Sequence, residues 1–444
     1  MSEETRVPGA RVPVLTDPEA RELIATSLDM TLIVEAAAGT GKTRALLGRI
    51  VRIIAEGKAD VGGIVAVTFT EKAAGELKLR LRERLDDARV AAGHHSGHQA
   101  EERVRLDQAL KQLEEAHVGT IHAFCADLLR ERPVEAGVDP LFEVLTEPAS
   151  ARLFDEAFGR WLQEVLTDPP DGVRRALRRS AFGGEDGPVD RLRKAAWDLA
   201  QWRDFTGPWT RGAFDRDGEV DSLVSLLHEV AGLTRTPTSK SDPLFTGTDP
   251  VRRLSDEIGL QQTFGDAGAV DYDGWEAGLV DLSRDRTLAN VKHGRGASYR
   301  DGVPRDRVST ALTELRARLD QFRMAADADL AALLQQELGG ALQRYGEMKA
   351  KGGALDFLDL LLVARNLVRD NRHVREGFQG RFERIFVDEF QDTDPLQAEI
   401  LLLLAADDPS ETDWRKARPL AGRLFLVGDP KQSIYRFRRA DVAI

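Results

Sequence analysis

Five short apolar runs, rich in β-branched residues, stand in the N-terminal and C-terminal parts of the chain. Most are almost continuously hydrophobic, which is typical of parallel strands covered on both faces. Segments that predict helices follow four of the runs. The predicted strands are TLIVEA (31–36), GIVAVTF (63–69), AHVGTI (116–121), RIFVDE (384–389) and RLFLVG (423–428), and the predicted helices cover residues 42–56, 71–87, 122–132 and 394–406. This alternation predicts an α/β domain built on a doubly wound parallel sheet.

The alternation of strands and helices is interrupted between residues 133 and 352, where the pattern becomes helical. ARLFDEAFGRWLQEVL (151–166) and a long run at 308–349 both predict helices. Strands of the first type resume only after this segment. We therefore interpret residues 133–352 as a mostly helical domain inserted into the α/β domain, and we predict a flexible N-terminal arm at residues 1–14.

Composition narrows the class of protein. The 444 residues predict two or three domains, and 42% hydrophobic with 31% charged residues is a globular composition. The single cysteine, Cys125, excludes an intramolecular disulfide and a cysteine-based zinc cluster. Because no apolar run could span a membrane or serve in secretion, we expect a cytoplasmic protein without a membrane partner. The net charge of −12 argues mildly against nucleic acid, although phosphate contacts need only a local basic surface.

A glycine-rich loop joins the first predicted strand to the first predicted helix. The loop AAAGTGKT begins at Ala36, which stands where the phosphate-binding pattern G-x-x-x-x-G-K-[ST] has its first glycine. Gly39 and Gly41 allow backbone N–H groups to face a phosphate at a helix N-terminus. Lys42 would reach the β- and γ-phosphates, and the Thr43 hydroxyl would hold Mg²⁺. The alternative, a glycine-rich turn that contains GKT by chance, does not explain the flanking strand and helix.

Two carboxylates follow the fourth predicted strand in RIFVDEFQDTDPLQ (384–397). Asp388 and Glu389 would lie at the carboxyl edge of the sheet, where open α/β sheets bind ligands. Asp388 would hold Mg²⁺, and Glu389 would orient and deprotonate an attacking water. The alternative is a strand end followed by a capped helix. The two carboxylates indicate a catalytic site only in combination with the glycine-rich loop.

Three further segments combine cations, rings and hydroxyls. TFTEKAAGELKLRLRERL (68–85) predicts a basic amphipathic helix, and GTIHAFCADLLR (119–130) places a histidine at a strand end. GDPKQSIYRFRR (428–439) interleaves aromatic rings with cations, which is typical of surfaces that stack the bases of single strands. Each segment also has an alternative explanation, namely a solvated helix face, a buried histidine and an ordinary strand end.

Taken in order, the motifs AxxGxGKT, TFTxKAAxE, TIHxFC, DExQDT and GDPKQSIYxFR resemble the first motor domain of superfamily 1 DNA helicases of the UvrD/Rep/RecB type, and most closely the RecB/AddA branch. The resemblance implies a RecA-like P-loop parallel sheet with helices on both faces, called domain 1A, at residues 15–132 and 353–444. The helical segment 133–352 matches only in placement, as the inserted domain 1B. The implied function is the N-terminal ATP-binding and single-stranded-DNA-binding half of a 3′–5′ DNA helicase or helicase–nuclease in DNA repair and recombination, associated with the nucleoid.

The resemblance also implies ligands and residue roles. It implies ATP and Mg²⁺ as cofactors, single-stranded DNA and single-strand/duplex junctions as partners, and Glu389 as catalytic base beside Lys42 and Gln432. The implied nucleotide-binding residues are Ala36, Ala37, Ala38, Gly39, Thr40, Gly41, Lys42, Thr43, Arg44, Asp388, Glu389 and Gln432, of which Thr43 and Asp388 hold the metal ion. The implied DNA-binding residues are Thr68, Phe69, Thr70, Thr120, His122, Tyr435, Phe437 and Arg438.

Two features depart from the family pattern. Glu19 stands where family members usually place a glutamine that reads adenine, and Thr16 and Glu19 also fit a helix capping box with Pro18 in the first turn. The second motor domain, which completes the ATP site with an arginine, is not expected within these residues. It would belong to a C-terminal half, with or without a nuclease, or to a partner subunit. The alternative function is a stand-alone nucleotide-gated DNA-binding module, or a regulatory partner, without helicase activity.

Overall fold

The computed structural model describes residues 16–37, 39–93, 98–179, 186–205, 207–264 and 270–432. The chain divides into two compact units. One comprises the chain up to Glu147 together with the chain from Gly353, and the other is Pro148–Gly352. The unit in the middle of the chain is thus an insertion into a unit that both ends of the sequence build.

The described residues form α-helices and strands in both units. In chain order the helices are α1 (Asp17–Thr26), α2 (Lys42–Ala55), α3 (Glu71–Ala91), α4 (His98–Lys111), α5 (Ile121–Glu131), α6 (Pro133–Ala136), α7 (Glu147–Val165), α8 (Asp171–Arg178), α9 (Pro188–Gln201), α10 (Arg216–Thr234), α11 (Pro243–Gly247), α12 (Asp249–Phe264), α13 (Tyr272–Arg284), α14 (Arg286–Ala289), α15 (Arg305–Glu337), α16 (Gly339–Lys351), α17 (Phe357–Asp370), α18 (Arg372–Arg381) and α19 (Pro395–Ala405). The strands are β1 (Leu32–Glu35), β2 (Ile64–Thr68), β3 (His117–Thr120), β4 (Glu143–Val144), β5 (Ser298–Arg300), β6 (Val303–Pro304), β7 (Ala354–Leu355), β8 (Arg384–Val387) and β9 (Leu424–Gly428).

A five-stranded parallel sheet forms the centre of the first unit, in the order β1-β9-β8-β2-β3. The five predicted strands and the four predicted helices are therefore confirmed. Since all five strands run the same way, their carboxyl ends meet at one edge of the sheet. A separate short parallel pair, β4 with β7, places residues 143–144 in this unit rather than in the insertion.

Helices cover both faces of the sheet, which explains why the residues of β2 are all apolar up to its last position. Val65 and Val67 pack in one core with α5, α17, α18 and α19. Ile64 and Ala66 pack in the opposite core with α1, α2, α3 and α4. Successive side chains of a strand point to opposite faces, so a strand between two helical layers is hydrophobic throughout. The RecA-like arrangement, with helices on both faces of a parallel sheet, is thus present.

The second unit is helical, apart from the short antiparallel pair β5 and β6. Its apolar residues form two cores, one centred on α10, α13 and α15 and one on α7, α9 and α16. An ionic cluster is buried beside them: Arg175 Nε lies 2.9 Å from Glu276 Oε2, and Arg175 Nη1 lies 2.8 Å from Asp329 Oδ2. Charges so deeply buried are tolerated because each has an opposite partner. The prediction that the inserted segment is mostly helical is confirmed.

Hydropathy adds one negative finding. Within the ranges that the structure describes, no helix combines the length and the apolar character needed to cross a membrane.

Candidate functional site

The glycine-rich loop lies between β1 and α2 and depends on two glycines. Gly39 has φ +75° and Gly41 has φ +87°, and Gly41 is the N-cap residue that precedes α2. Both angles lie in the left-handed region, which glycine adopts without a steric cost. The backbone N–H of Ala36 donates to the carbonyl of Gly428 at 3.1 Å, so the loop starts beside the end of β9. The loop therefore presents its backbone at the N-terminus of α2, where anions are favoured.

Lys42, the first residue of α2, is enclosed in the site. Its side chain is 8% exposed, and Nζ makes no hydrogen bond in the described structure. Among the described residues it forms an ion pair with Glu389, whose Oε2 lies 3.5 Å from Nζ, and its charge also acts on the carboxylates of Asp388 and Asp392. A buried ammonium without hydrogen bonds is costly, and phosphate oxygens would supply the missing acceptors. The environment of Lys42 thus fits a phosphate group.

Thr43 and Asp388 meet although 345 positions separate them in the sequence. The Thr43 hydroxyl donates to Asp388 Oδ2 at 2.9 Å. Burial raises the pKa of the Asp388 carboxyl above its ordinary value, the Thr43 hydrogen bond opposes the rise, and the Glu389 carboxylate adds to it. A hydroxyl and a carboxylate are oxygen donors of the kind that Mg²⁺ uses beside phosphates, and a cation there would favour the ionised carboxylate. The donor set therefore fits Mg²⁺.

Glu389 has an unusual backbone conformation. Its φ of +58° is the only positive value of a non-glycine residue among the described residues. A left-handed conformation costs such a residue on the order of 1–2 kcal/mol, and residues of this kind concentrate at functional sites. The turn aims the carboxylate back toward Lys42 just after β8 ends at Val387. Helix capping does not explain the carboxylate, because Asp394 and Gln397 cap α19 instead.

Hydrogen bonds join Glu389 to the end of β9. Gln391 Nε2 donates to Glu389 Oε2 at 2.7 Å, and Gln391 Oε1 accepts from the backbone N–H of Asp429 at 2.8 Å. Gln432 Nε2 in turn donates to Asp429 Oδ2 at 2.7 Å. Gln432 is predicted from the sequence as a site residue, whereas Gln391 and Asp429 are not. Both residues stand inside the quoted motifs, yet no property of the sequence alone predicts that they touch.

A residue of α1 anchors the glycine-rich loop. Arg21 Nη2 donates to the carbonyl of Thr40 at 2.8 Å, which ties α1 to the loop. Arg21 is a further residue of the site that no sequence motif predicts.

Glu19, which stands where family members usually place a glutamine that reads adenine, is engaged by Thr16. The backbone N–H and the hydroxyl of Thr16 both donate to Glu19 Oε2, at 2.8 and 2.7 Å. Glu19 therefore serves the predicted capping box, and these hydrogen bonds lower the pKa of its carboxyl.

The threonines predicted to contact DNA lie at the ends of β2 and β3. Thr68 and Phe69 line a cleft together with Asp388 and Glu389, and the buried Thr68 hydroxyl has no hydrogen-bond partner among the described residues. Thr70 and Thr120 accept from backbone N–H groups as the N-caps of α3 and α5. The Thr120 hydroxyl also donates to Glu71 Oε1 at 2.9 Å, so its hydrogen is already engaged.

His122 lies in the first turn of α5 against an aromatic side chain. Its ring meets Phe357 edge to face, with 5.4 Å between ring centroids. Burial lowers the pKa of His122 to about 4, and the Glu71 carboxylate only partly offsets this effect. His122 is therefore neutral at pH 7 and can offer DNA a ring or a hydrogen bond but not a charge. The remaining predicted residues Ala38, Tyr435, Phe437 and Arg438 lie outside the described residues.

The lowered pKa of His122 predicts a pH dependence of stability. The folded value of about 4 lies below the ordinary 6.5, so the unfolded chain binds more protons between these pH values. This contribution is complete above pH 6.5 and is lost as the pH falls toward 4. From pH 7 to pH 5 we expect the free energy of unfolding to fall by about 2 kcal/mol more in the natural protein than in His122→Asn.

Urea denaturation at the two pH values checks this expectation. His373→Asn, at an exposed position of α18, is the matched control and should keep the pH dependence of the natural protein. An unchanged pH dependence in His122→Asn would show that His122 is not buried as the structure has it.

Comparison with known proteins is consistent with this geometry. Residues 16–444 match the family model described as UvrD/REP helicase N-terminal domain. The chain is 29% identical to an ATP-dependent helicase/nuclease subunit from Alkaliphilus metalliredigens, over 93% of this chain and 34% of the relative. Proteins of the same name from Pediococcus pentosaceus and Staphylococcus aureus are 26% and 25% identical, over 93% and 97% of this chain and 34% and 36% of theirs. The chain thus spans about one third of the length of these relatives.

Proposed function

The chain belongs to the family described as UvrD/REP helicase N-terminal domain, and we propose that it is the ATP-binding and single-stranded-DNA-binding part of an ATP-dependent DNA helicase or helicase–nuclease. The observation that carries this proposal is the meeting of Lys42, Thr43, Asp388 and Glu389 at the carboxyl edge of the sheet. Cation, hydroxyl and two carboxylates in this arrangement are what ATP hydrolysis with Mg²⁺ requires.

The proposal extends to the domains and to the rest of the protein. We assign the first unit, which contains the predicted segments 15–132 and 353–444 and continues to Glu147, to motor domain 1A, and we assign Pro148–Gly352 within the predicted segment 133–352 to domain 1B. The relatives are helicase/nuclease subunits by name, and the chain covers only about one third of their length. A second motor domain, and a nuclease, would come from a further part of the protein or from a partner subunit. Translocation, with 3′–5′ polarity, would need both motor domains.

Nucleotide binding would use the loop and the adjoining carboxylate. Gly39 and Gly41 would turn backbone N–H groups toward the phosphates, and Lys42 would exchange its ion pair with Glu389 for phosphate oxygens. Thr43 and Asp388 would hold Mg²⁺, which when bound would offset the negative charge of the phosphates. The remaining residues proposed to line the nucleotide are Ala36, Ala37, Ala38, Thr40, Arg44 and Gln432.

Hydrolysis would depend on Glu389. In the described structure its Oε2 atom faces both Lys42 and Gln391. Once phosphate oxygens draw Lys42 away, this carboxylate would be free to orient a water and to accept its proton. Gln432 would contact the γ-phosphate from the end of β9, beside Asp429. The charge of Lys42 would therefore mask the base until a nucleotide is bound.

DNA binding would occur on the neighbouring part of the same edge. The nucleotide residues follow β1, β8 and β9, and the proposed DNA residues Thr68, Phe69, Thr70, Thr120 and His122 follow β2 and β3. Because β8 pairs with β2, the two groups adjoin, and they share the cleft beside Glu389. Tyr435, Phe437 and Arg438 would add rings and a cation from the segment that follows Gln432. Neutral rings in this set suit base stacking.

Stimulation of ATP hydrolysis by DNA tests the proposal. We expect turnover with Mg²⁺ to rise saturably as a single-stranded oligonucleotide is added, and to rise less with a duplex of the same length. A turnover that stays at the level without DNA at every oligonucleotide concentration would contradict the assignment. The same outcome, with ATP still bound, would instead support a nucleotide-gated DNA-binding module.

A further inference from the structure

Gln391 joins two strand ends through both ends of its amide. It lies in the 3₁₀ turn Phe390–Asp392 that follows β8, and it is only 7% exposed. Nε2 donates to Glu389 Oε2 at 2.7 Å, while Oε1 accepts from the backbone N–H of Asp429 at 2.8 Å. A side-chain amide can donate to a carboxylate and accept from an N–H at once through two separate atoms. Leucine or glutamate of similar size would lose at least one of these contacts.

The connection continues to the residue proposed to contact the γ-phosphate. Asp429 accepts from Gln432 Nε2 at 2.7 Å and from the backbone N–H of Lys431 at 3.1 Å. Both hydrogen bonds fix the 3₁₀ turn Pro430–Gln432 that follows β9. An unbroken line of side chains and backbone therefore runs from the Glu389 carboxylate to Gln432. Gln391 and Asp429 are both buried, and hydrogen bonds within a satisfied buried network hold their members in place.

Close packing leaves this line little freedom. A Cβ atom added to Gly428 would lie 2.8 Å from Gln391 Oε1 and 3.3 Å from the backbone nitrogen of Gln391. Contacts below 3.0 Å do not occur without displacement, so the end of β9 rests directly on the turn that carries Gln391. A shift of Asp429 or Gln432 must therefore shift Gln391 or break its hydrogen bond.

After a nucleotide binds, the Glu389 carboxylate needs its hydrogen bond from Gln391 to keep its position. In the described structure Oε2 faces Lys42 at 3.5 Å and Gln391 at 2.7 Å. If phosphate takes Lys42 away, Gln391 is the contact that remains to Oε2 among those that the structure records for the described residues. The backbone of Glu389 is strained at φ +58°, so the carboxylate is not held by a relaxed local conformation.

We propose that Gln391 is a positioning residue that aims Glu389 at the attacking water and passes displacements of Gln432 to it. The inference rests on the proposed ATP hydrolysis and deepens it, because it names the side chain through which the end of β9 acts on the base. Gln391 does not touch the reacting atoms. Its loss misplaces the base and leaves the phosphate-binding loop intact.

The test is a separation of turnover from nucleotide affinity in Gln391→Ala and Gln391→Glu. Gln391→Glu keeps an acceptor for the Asp429 N–H but has no donor for Glu389. We expect kcat for ATP to fall by about 30- to 100-fold in both variants, while the Kd of Mg-ATP changes by less than about threefold. The matched control is Gln379→Ala, a buried glutamine on α18 whose Nε2 donates to the Leu403 carbonyl at 2.9 Å. It should keep kcat near the natural value.

A double variant separates this inference from the proposed function. If Gln391 acts through Glu389, Gln391→Ala should cost less than about threefold in kcat when Glu389→Gln is already present. A full additional loss, an equal loss in Gln379→Ala, or a loss of affinity that matches the loss of kcat would overturn the positioning role. If Glu389→Gln alone keeps the natural turnover, the proposed function itself fails. Thermal melting of each variant shows whether a loss of activity reflects unfolding.

Discussion

Glu389→Gln is expected to lower the rate of ATP hydrolysis at least about a hundredfold, because a glutamine cannot accept the proton of the attacking water. The substitution keeps the size of the side chain, and its amide oxygen can still accept from Gln391 Nε2. Nucleotide affinity should be preserved or should increase, since Lys42 loses the carboxylate that competes with phosphate at 3.5 Å. Turnover and nucleotide binding are expected to change separately because Glu389 lies next to the phosphate-binding loop but is not part of it.

Single-turnover hydrolysis, with nucleotide binding measured on the same preparation, checks this result. Glu399→Gln is the matched control, because Glu399 is a buried carboxylate on α19 that pairs with Arg365 at 3.5 Å. It should leave the hydrolysis rate within about threefold of the natural protein. A natural rate in Glu389→Gln would contradict the role of Glu389 as the base and, with it, the proposed function.

Lys42→Ala is expected to weaken Mg-ATP binding by about 10- to 100-fold, as the loss of one or two charge-assisted hydrogen bonds to phosphate implies. Stability without nucleotide should change little, because Nζ makes no hydrogen bond in the described structure and its ion pair with Glu389 is 3.5 Å long. Here the cation is placed for a ligand and contributes little to the fold.

Thermal melting with and without Mg-ATP measures both effects at once. A ligand at a hundred times its Kd stabilises a folded protein by about 2.7 kcal/mol, so the natural protein should melt higher with nucleotide. Lys42→Ala should lose most of that increase at the same ligand concentration. Lys58→Ala, at a lysine that pairs with Asp29 away from the loop, should retain it. An undiminished increase in Lys42→Ala would place the nucleotide elsewhere.

The parts of the fold that were predictable from the sequence are those that local pattern specifies. Strand β2 is hydrophobic at four successive positions because two helical layers cover it, and that signal needs no knowledge of its neighbours. The loop from Ala36 to Thr43 is local in the same way, since its glycines, lysine and threonine are contiguous. The capping box of Thr16 and Glu19 is a third local pattern, and its hydrogen bonds are present.

The contacts that define the site could not be predicted in this way because they depend on sheet order. Thr43 meets Asp388 across 345 positions, and Gln391 meets Asp429 across 38. Both contacts exist only because β9 lies between β1 and β8, an order that the apolar runs do not specify. The left-handed conformation of Glu389 is likewise absent from residue preferences, since glutamate rarely adopts it. No pattern in the sequence indicated the buried Arg175 cluster of the second unit.

The central claim is that one sheet edge binds a nucleotide and single-stranded DNA and couples the two. The most direct test is the affinity for a fluorescent single-stranded oligonucleotide, measured without nucleotide, with Mg-ADP and with a non-hydrolysable Mg-ATP analogue. We predict that affinity differs at least about threefold between nucleotide states in the natural protein, and that the difference disappears in Lys42→Ala. Equal DNA affinity in all three states of the natural protein would contradict the account.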